Sequence, residues 1–215
     1  MSDVLVSADA GAFRCTGCGS CCSQVWVNVT DADVKRLARH TGLSAPEIVQ
    51  FVAPTIVDAD NEDEDGWVPF GPDPADRGLM VLKIQRSSGA CRFLEAELCT
   101  VYEARPRACR LYPWEFDDAD EEIVIDVVTD PCPWERDGTL DVVSLLEQID
   151  LDEEERDDYE EAIVEWIESG SPDDPLLFLR FLGLPTRHST LGLSAEERGE
   201  RERKSRLRSF LRVVS

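Results

Sequence analysis

Eight cysteines are the residues of this chain best equipped for chemistry: Cys15, Cys18, Cys21 and Cys22 within eight positions, then Cys91, Cys99, Cys109 and Cys132. Four thiols so close together, with Gly17 and Gly19 allowing a tight backbone, bring sulfur into the small volume that a metal or cluster demands. The later four are spaced 8, 10 and 23 residues apart and must be gathered by the fold. Disulfides need an oxidising compartment. The opening residues MSDVLVSADAGAF lack the basic start and apolar run of a secretory signal, so the expectation is a cytoplasmic protein with reduced thiols. Buried free cysteines explain one or two thiols, not four in eight residues. Metal or iron–sulfur ligation remains, in two four-ligand sites or in one site plus spare thiols. Cys-x2-Cys knuckles suit tetrahedral zinc, whereas Cys-x2-Cys-x2-Cys opens like a bacterial [4Fe–4S] run. That run places its next cysteine at position 25, which here is Val25. The expected cofactor is therefore an iron–sulfur cluster, of the [4Fe–4S] kind, or zinc. Cys21 and Cys22 on an extended backbone would point to opposite sides, which predicts that they serve different sites or roles.

Other constellations are weak. His40 near a helix C-terminus and His188 in a loop are poor ligand candidates. Neither a Ser/His/Asp set, a Walker loop nor a dinucleotide fingerprint is present, which leaves a nucleotide-driven enzyme without support.

The elements that must position the cysteines are short. Val25–Val29, 67–70, 79–85 and 122–128 read as strands from their β-branched and aromatic content. Thr30 with Asp33 opens a helix that Gly42 ends, and Ser44 with Glu47 repeats the signal for a second helix carrying Ile48, Phe51 and Val52 inward. Segment 58–66 is an acidic loop. Pro106, Pro113, Pro131 and Pro133 keep their region out of long elements and put its cysteines on turns. Tyr159, Ala162, Ile163, Trp166 and Ile167 recur at helix spacing, 174–182 fits a short helix, and a last helix runs from Ser194 to about Val214. The fold class is α+β: a small antiparallel sheet with helices and proline-rich turns around a cysteine metal site, plus a C-terminal helical region. Residues 13–134 form the cysteine-cluster domain and 139–215 a helical extension packed on it.

At 215 residues the chain is long enough for one domain with an appendage, at roughly 100 to 200 residues per domain. No apolar stretch approaches the roughly 18 to 20 residues of a membrane span. Forty-five acidic against 22 basic residues leave a net charge of −23, which makes a nucleic-acid partner improbable and argues against an anionic lipid surface. Only three of the basic residues are lysines: Lys35, Lys83 and Lys204. An acidic, lysine-poor surface suits a halophilic protein, because molar salt screens its self-repulsion to a Debye length of about 3 Å. Residues 198–215 oppose the rest with seven basic residues and two acids, and are expected to dock on the acidic body.

The pattern Phe13-Arg14-Cys15-x2-Cys18-Gly19-x-Cys21-Cys22, followed by Cys91-Arg-Phe93-Leu94 and by Cys99-x2-Tyr102-x2-Arg105-Pro106-x2-Cys109-Arg110-x-Tyr112-Pro113, resembles the YkgJ-type cysteine-cluster family, the CxxCxxCC domain. The resemblance covers residues 13 to about 134 and implies a zinc- or iron-chelating domain, whose members are often labelled iron–sulfur proteins. Flagellin lysine N-methylases share its cysteine pattern. The implied function is a metal-thiolate protein serving electron transfer or a redox or methyl-transfer reaction, with an unidentified redox or protein partner. The alternative is a structural zinc module acting as an adaptor. A four-thiolate zinc or oxidised [4Fe–4S] centre carries a net charge of −2, so Arg14, Arg105 and Arg110 are expected beside it, offsetting charge and donating hydrogen bonds to sulfur. Otherwise they pair with surface acids. Phe93, Tyr102 and Tyr112 are expected to exclude water.

Overall fold

The computed structural model describes residues 3–16, 18–24, 26–56, 66–73, 76–119, 122–127, 134–170 and 173–187. In chain order the elements are β1 (Asp3–Val6), α1 (Ala8–Ala12), α2 (Ser20–Gln24), α3 (Asp31–Thr41), α4 (Ala45–Ile48), β2 (Val49–Val52), β3 (Trp67–Pro69), β4 (Arg77–Leu82), β5 (Leu94–Glu95), β6 (Leu98–Cys99), a single 3₁₀ turn (Tyr102–Ala104), α5 (Arg107–Leu111), β7 (Trp114–Ala119), β8 (Glu122–Val127), α6 (Val142–Glu168) and α7 (Pro175–Phe181). The class is α+β, and the strands form small, mostly antiparallel sheets. Two have three strands, ordered β2-β4-β3 and β1-β8-β7, and the third is the β5-β6 hairpin. One pair departs from the antiparallel expectation: β1 runs parallel to β8, with Val4 opposite Ile123.

Local signals explain most helix boundaries. The Asp33 amide donates to the Thr30 hydroxyl at 3.3 Å, the Asp33 carboxylate accepts from the Thr30 amide, and Gly42 closes α3 at φ 67°. Asp141 caps α6 and Asp174 caps α7, where Pro175 occupies the first turn. The Ser44 signal works only briefly. Its helix lasts four residues, and Phe51 and Val52, expected on that helix, lie on strand β2 opposite Met80 and Leu79. The run Val49-Gln-Phe-Val52 has the β-branched and aromatic content of a strand, and β4 supplies the ladder that overrides the local helix start. The expected strand at Val25–Val29 is reduced to a bridge: Asn28 faces Val81, and the Val29 amide reaches the Met80 carbonyl at 3.1 Å. Val25 itself lies outside the described residues, as do 58–65 and the segment expected to form the last helix.

Two main apolar cores result among the described residues, beside a small cluster of Val52, Leu79 and Val81. The larger packs α3, α4, β2, β3 and β4 against the second half of α6 and against α7. Phe178, fully buried, has ring centroids of Trp166, Phe51, Phe70, Tyr159 and Phe181 between 5.3 and 6.4 Å away. The smaller joins Ile125 and Val127 of β8 to Ala10, Phe13 and Leu145. Helix α6, 27 residues and so about 40 Å long, spans both cores. Its amphipathic face is legible in Tyr159, Ile163 and Trp166, all buried. No described helix is long and apolar enough to cross a membrane.

Candidate metal centre

The first cysteine segment is shaped by Gly19. At φ +70° it adopts a left-handed conformation, and its carbonyl accepts from the Cys22 amide at 3.0 Å. A side chain there would meet Leu94 Cδ1 at 2.9 Å and the Glu97 carbonyl oxygen at 3.1 Å. The loop before α2 is thus pressed against the β5-β6 hairpin. The hairpin turn is tight as well: Ala96 and Glu97 both have positive φ, 47° and 67°.

Cys21 and Cys22 lie on the single turn of α2, where the chain is helical rather than extended, and their sulfurs stand 4.0 Å apart. The expectation that an extended backbone sends them to opposite sides is corrected, since a helical turn advances 100° per residue and leaves neighbours on overlapping faces. The Cys91 amide donates to the Cys22 carbonyl at 2.7 Å and so stitches together segments 69 residues apart. Gln85 Nε2 donates to the carbonyls of Cys91 and Leu94. Cys99 ends β6 opposite Leu94, and Cys91 and Cys99 both pack partly buried against the larger core. Cys109 sits in the five-residue helix α5, not on a turn.

These five thiols act on one another. Cys22 is pushed up first by its contact with Cys21, then by burial and by the neighbouring sulfurs of Cys21, Cys91 and Cys109. Burial pushes the Cys109 thiol up, and Cys91, Cys21 and Cys99 add to it. Cys91 is raised by burial and by Cys99 and Cys21. Cys21 runs the other way, down to about 6, because the Cys22 hydrogen bond outweighs burial and Arg105 adds a positive field. The Cys21–Cys22 pair therefore gives up one proton readily and holds the other. Among the described residues no disulfide joins any cysteines, and no three His, Cys, Asp or Glu side chains stand close enough to hold an ion as placed.

The remaining expected residues are dispersed. Cys15 is exposed, while the partly buried Cys18 donates to the Ser20 hydroxyl at 3.2 Å. Cys132 and His188 lie outside the described residues. His40 is exposed in the last turn of α3. Arg105 stacks over the Tyr102 ring at 3.7 Å and donates to the carbonyls of Tyr102 and Cys109. Arg110 donates to the carbonyls of Arg105 and Glu103, tying the 3₁₀ turn to α5. Arg14 bonds Asp137 at 2.6 Å and pairs with Glu135 in an exposed cluster. Phe93 is buried, but Tyr102 is 54 % exposed and serves as the platform for Arg105 rather than as a water barrier.

In the sequence Asp33 is legible only as a helix cap. It is also an acceptor for the Arg107 amide, 3.0 Å away, at the start of the helix that carries Cys109. A cleft of about 300 Å³ opens beside it, between α3, α6 and Ala108 of α5.

Thiol-bearing loops and one-turn helices, gathered on an α+β scaffold, define the class: a cysteine-rich chelating domain. The chain belongs to the CxxCxxCC family, described as a putative zinc- or iron-chelating domain, whose model matches residues 14–133. No curated protein and no solved structure is significantly similar to it.

Proposed function

We propose that this is an iron–sulfur protein whose cysteines hold the cluster and which serves electron transfer or a related redox or methyl-transfer reaction. One observation carries the reading: thiols from four separate segments, Cys21 with Cys22, Cys91, Cys99 and Cys109, lie within electrostatic reach of one another. The donor set fits in chemistry, because soft thiolates select iron–sulfur clusters and zinc. Burial disfavours the bare thiolates of Cys91 and Cys109, and a metal cation that displaces their protons supplies the missing compensation. Cys15, Cys18 and Cys132 complete the eight donors. When bound, such a cluster supplies one-electron transfer. The chain's own part is to carry the sulfurs on short packed pieces, to bring the positive field of Arg105 to Cys21, and to hold Cys109 partly buried.

In this reading residues 13–134 carry the site and 139–215 form a helical extension that braces it. The protein works in the reducing cytoplasm, where thiols stay available, with a redox or protein partner and without nucleic acid or membrane. The Cys15-x2-Cys18 knuckle favours a second reading, a structural zinc module that presents a surface to a partner. Anaerobic purification with metal and sulfide analysis decides between them. A brown protein absorbing near 400 nm, with iron and sulfide, supports the first. A colourless one with stoichiometric zinc supports the second, and a chain that takes up neither metal refutes both.

A further inference from the structure

Helix α5 begins without a cap of its own. Its N-cap residue is Pro106, whose side chain has no acceptor to offer the first amides. The acceptor comes from 74 residues away, where Asp33 Oδ1 takes the Arg107 amide at 3.0 Å. Asp33 is buried, and the same carboxylate closes the cap of α3 and pairs with Arg36. Arg36 continues to Glu155 of α6 through two bonds, at 3.0 and 3.2 Å. Glu155 also accepts from Arg107 at 3.1 Å, and Arg107 reaches Gln148, two turns earlier on the same face of α6, at 2.9 Å. The first residue of α5 is thereby held twice, by its amide to α3 and by its guanidinium to α6. Cys109 is two residues on, in a helix too short to keep its own direction.

We propose that Asp33 is a positioning residue for the metal site: through the Arg107 amide, and with Arg36 and Glu155 behind it, it fixes the direction in which α5 presents the Cys109 sulfur. The inference rests on reading Cys109 as a ligand, and it adds a residue outside the cysteine pattern to the determinants of metal affinity. Nothing in the reach of Asp33 requires it to touch the metal. Its role follows from the hydrogen bond it accepts, which an asparagine oxygen at the same place can also accept.

The test is anaerobic titration of the full-length apo protein with Co(II), whose thiolate absorption bands report both affinity and the number of sulfur ligands. Asp33→Ala should weaken Co(II) at least tenfold and alter the bands, whereas Asp33→Asn should stay within about threefold of wild type. Glu155→Gln, which loosens the Arg107 guanidinium but leaves the amide acceptor, should fall between them and carries the test if Asp33→Ala does not fold. A lower melting temperature with unchanged affinity and bands in these variants would mean that Asp33 is structural only and would overturn the proposal. Cys109→Ala separates the two levels of the argument. If Cys109→Ala binds Co(II) like wild type, or if wild type takes up neither Co(II) nor iron, the reading of the site fails. If Cys109→Ala loses affinity and Asp33→Ala does not, only the positioning role fails.

Discussion

Gly19 and Glu97 both sit in left-handed backbone conformations, within van der Waals reach of each other, and substitutions there should act in opposite directions. An alanine at 19 takes on the left-handed penalty of about 1–2 kcal/mol and collides with Leu94 and the Glu97 carbonyl. Gly19→Ala should therefore lower the melting temperature by several degrees and reduce metal retained on purification, since it displaces the turn leading to Cys21 and Cys22. Glu97→Gly relieves the same penalty at φ 67° and should raise the melting temperature by about 2–3 °C, net of glycine's added entropy in the unfolded chain. A thermal melt of each variant checks both signs.

Asp33 adds a pH signature. Burial lifts its carboxyl to about 6, against the pull of Arg36 and of the Arg107 amide. Its unfolded value is about 3.9, so the stability it contributes is present at pH 4 and is lost as pH rises through 6, by about 2–3 kcal/mol. Glu155 runs opposite: burial raises it, but hydrogen bonds from Arg36 and Arg107 prevail and hold it low, so its contribution is lost as pH falls below the carboxylate range. The stability of wild type relative to Asp33→Asn, from urea unfolding at each pH, should decline between pH 4.5 and 7. A lead that grows over that interval would mean that the carboxylate is stabilised in place.

At the scale of elements, the cysteines ride on pieces that cannot stand alone: a one-turn helix, a two-residue strand and a five-residue helix. An isolated helix shorter than about 12 residues is marginal in water, so these pieces borrow their order from what they pack against. For α5 the support is α6, and α6 is itself fastened by Trp166, whose indole donates to the Pro69 carbonyl at 3.0 Å, and by the ring cluster around Phe178. Phe178→Ala should cost about 3–5 kcal/mol, roughly 10 °C in a protein of this size. The change removes no ligand and no charge. Metal affinity at a temperature where the variant remains folded should therefore fall less than in Cys109→Ala, which titration of the two variants side by side measures.

For the molecule as a whole, charge dominates. At a net −23 the folded chain repels itself, and among the described residues several ion pairs are exposed ones of small value, such as Arg14 with Asp137 and Arg136 with Asp9. Raising potassium chloride from 0.1 M to about 1 M shortens the Debye length from about 10 Å to about 3 Å. The repulsion involves many more charges than the attractions do, so the midpoint of thermal unfolding should rise with salt. A midpoint that falls would mean that specific pairs, such as Arg36 and Arg107 with Glu155, outweigh the global field and that the acidic bias is not an adaptation to salt.

What the sequence alone determined about this protein is what depends on neighbours within a few residues. The cysteine pattern pointed to a chelating domain, Thr30 with Asp33 opened α3, Gly42 closed it, and the period of Tyr159, Ile163 and Trp166 marked the buried face of α6. These are one-turn interactions, written in adjacent letters. Tertiary structure decided the rest. Val49–Val52 became a strand because β4 lay beside it, and β1, four residues without a periodic signal, is a strand because β8 offers a parallel edge. Cys21 and Cys22 share a side because Gly19 turns the chain against a hairpin 75 residues further on. Asp33 serves α5 as well as α3 because folding brings an uncapped amide, borne by a residue 74 positions away, to the carboxylate oxygen that Arg36 also holds. No local pattern encodes such a contact, since its cause is a buried polar group that must find a partner wherever the packing puts one.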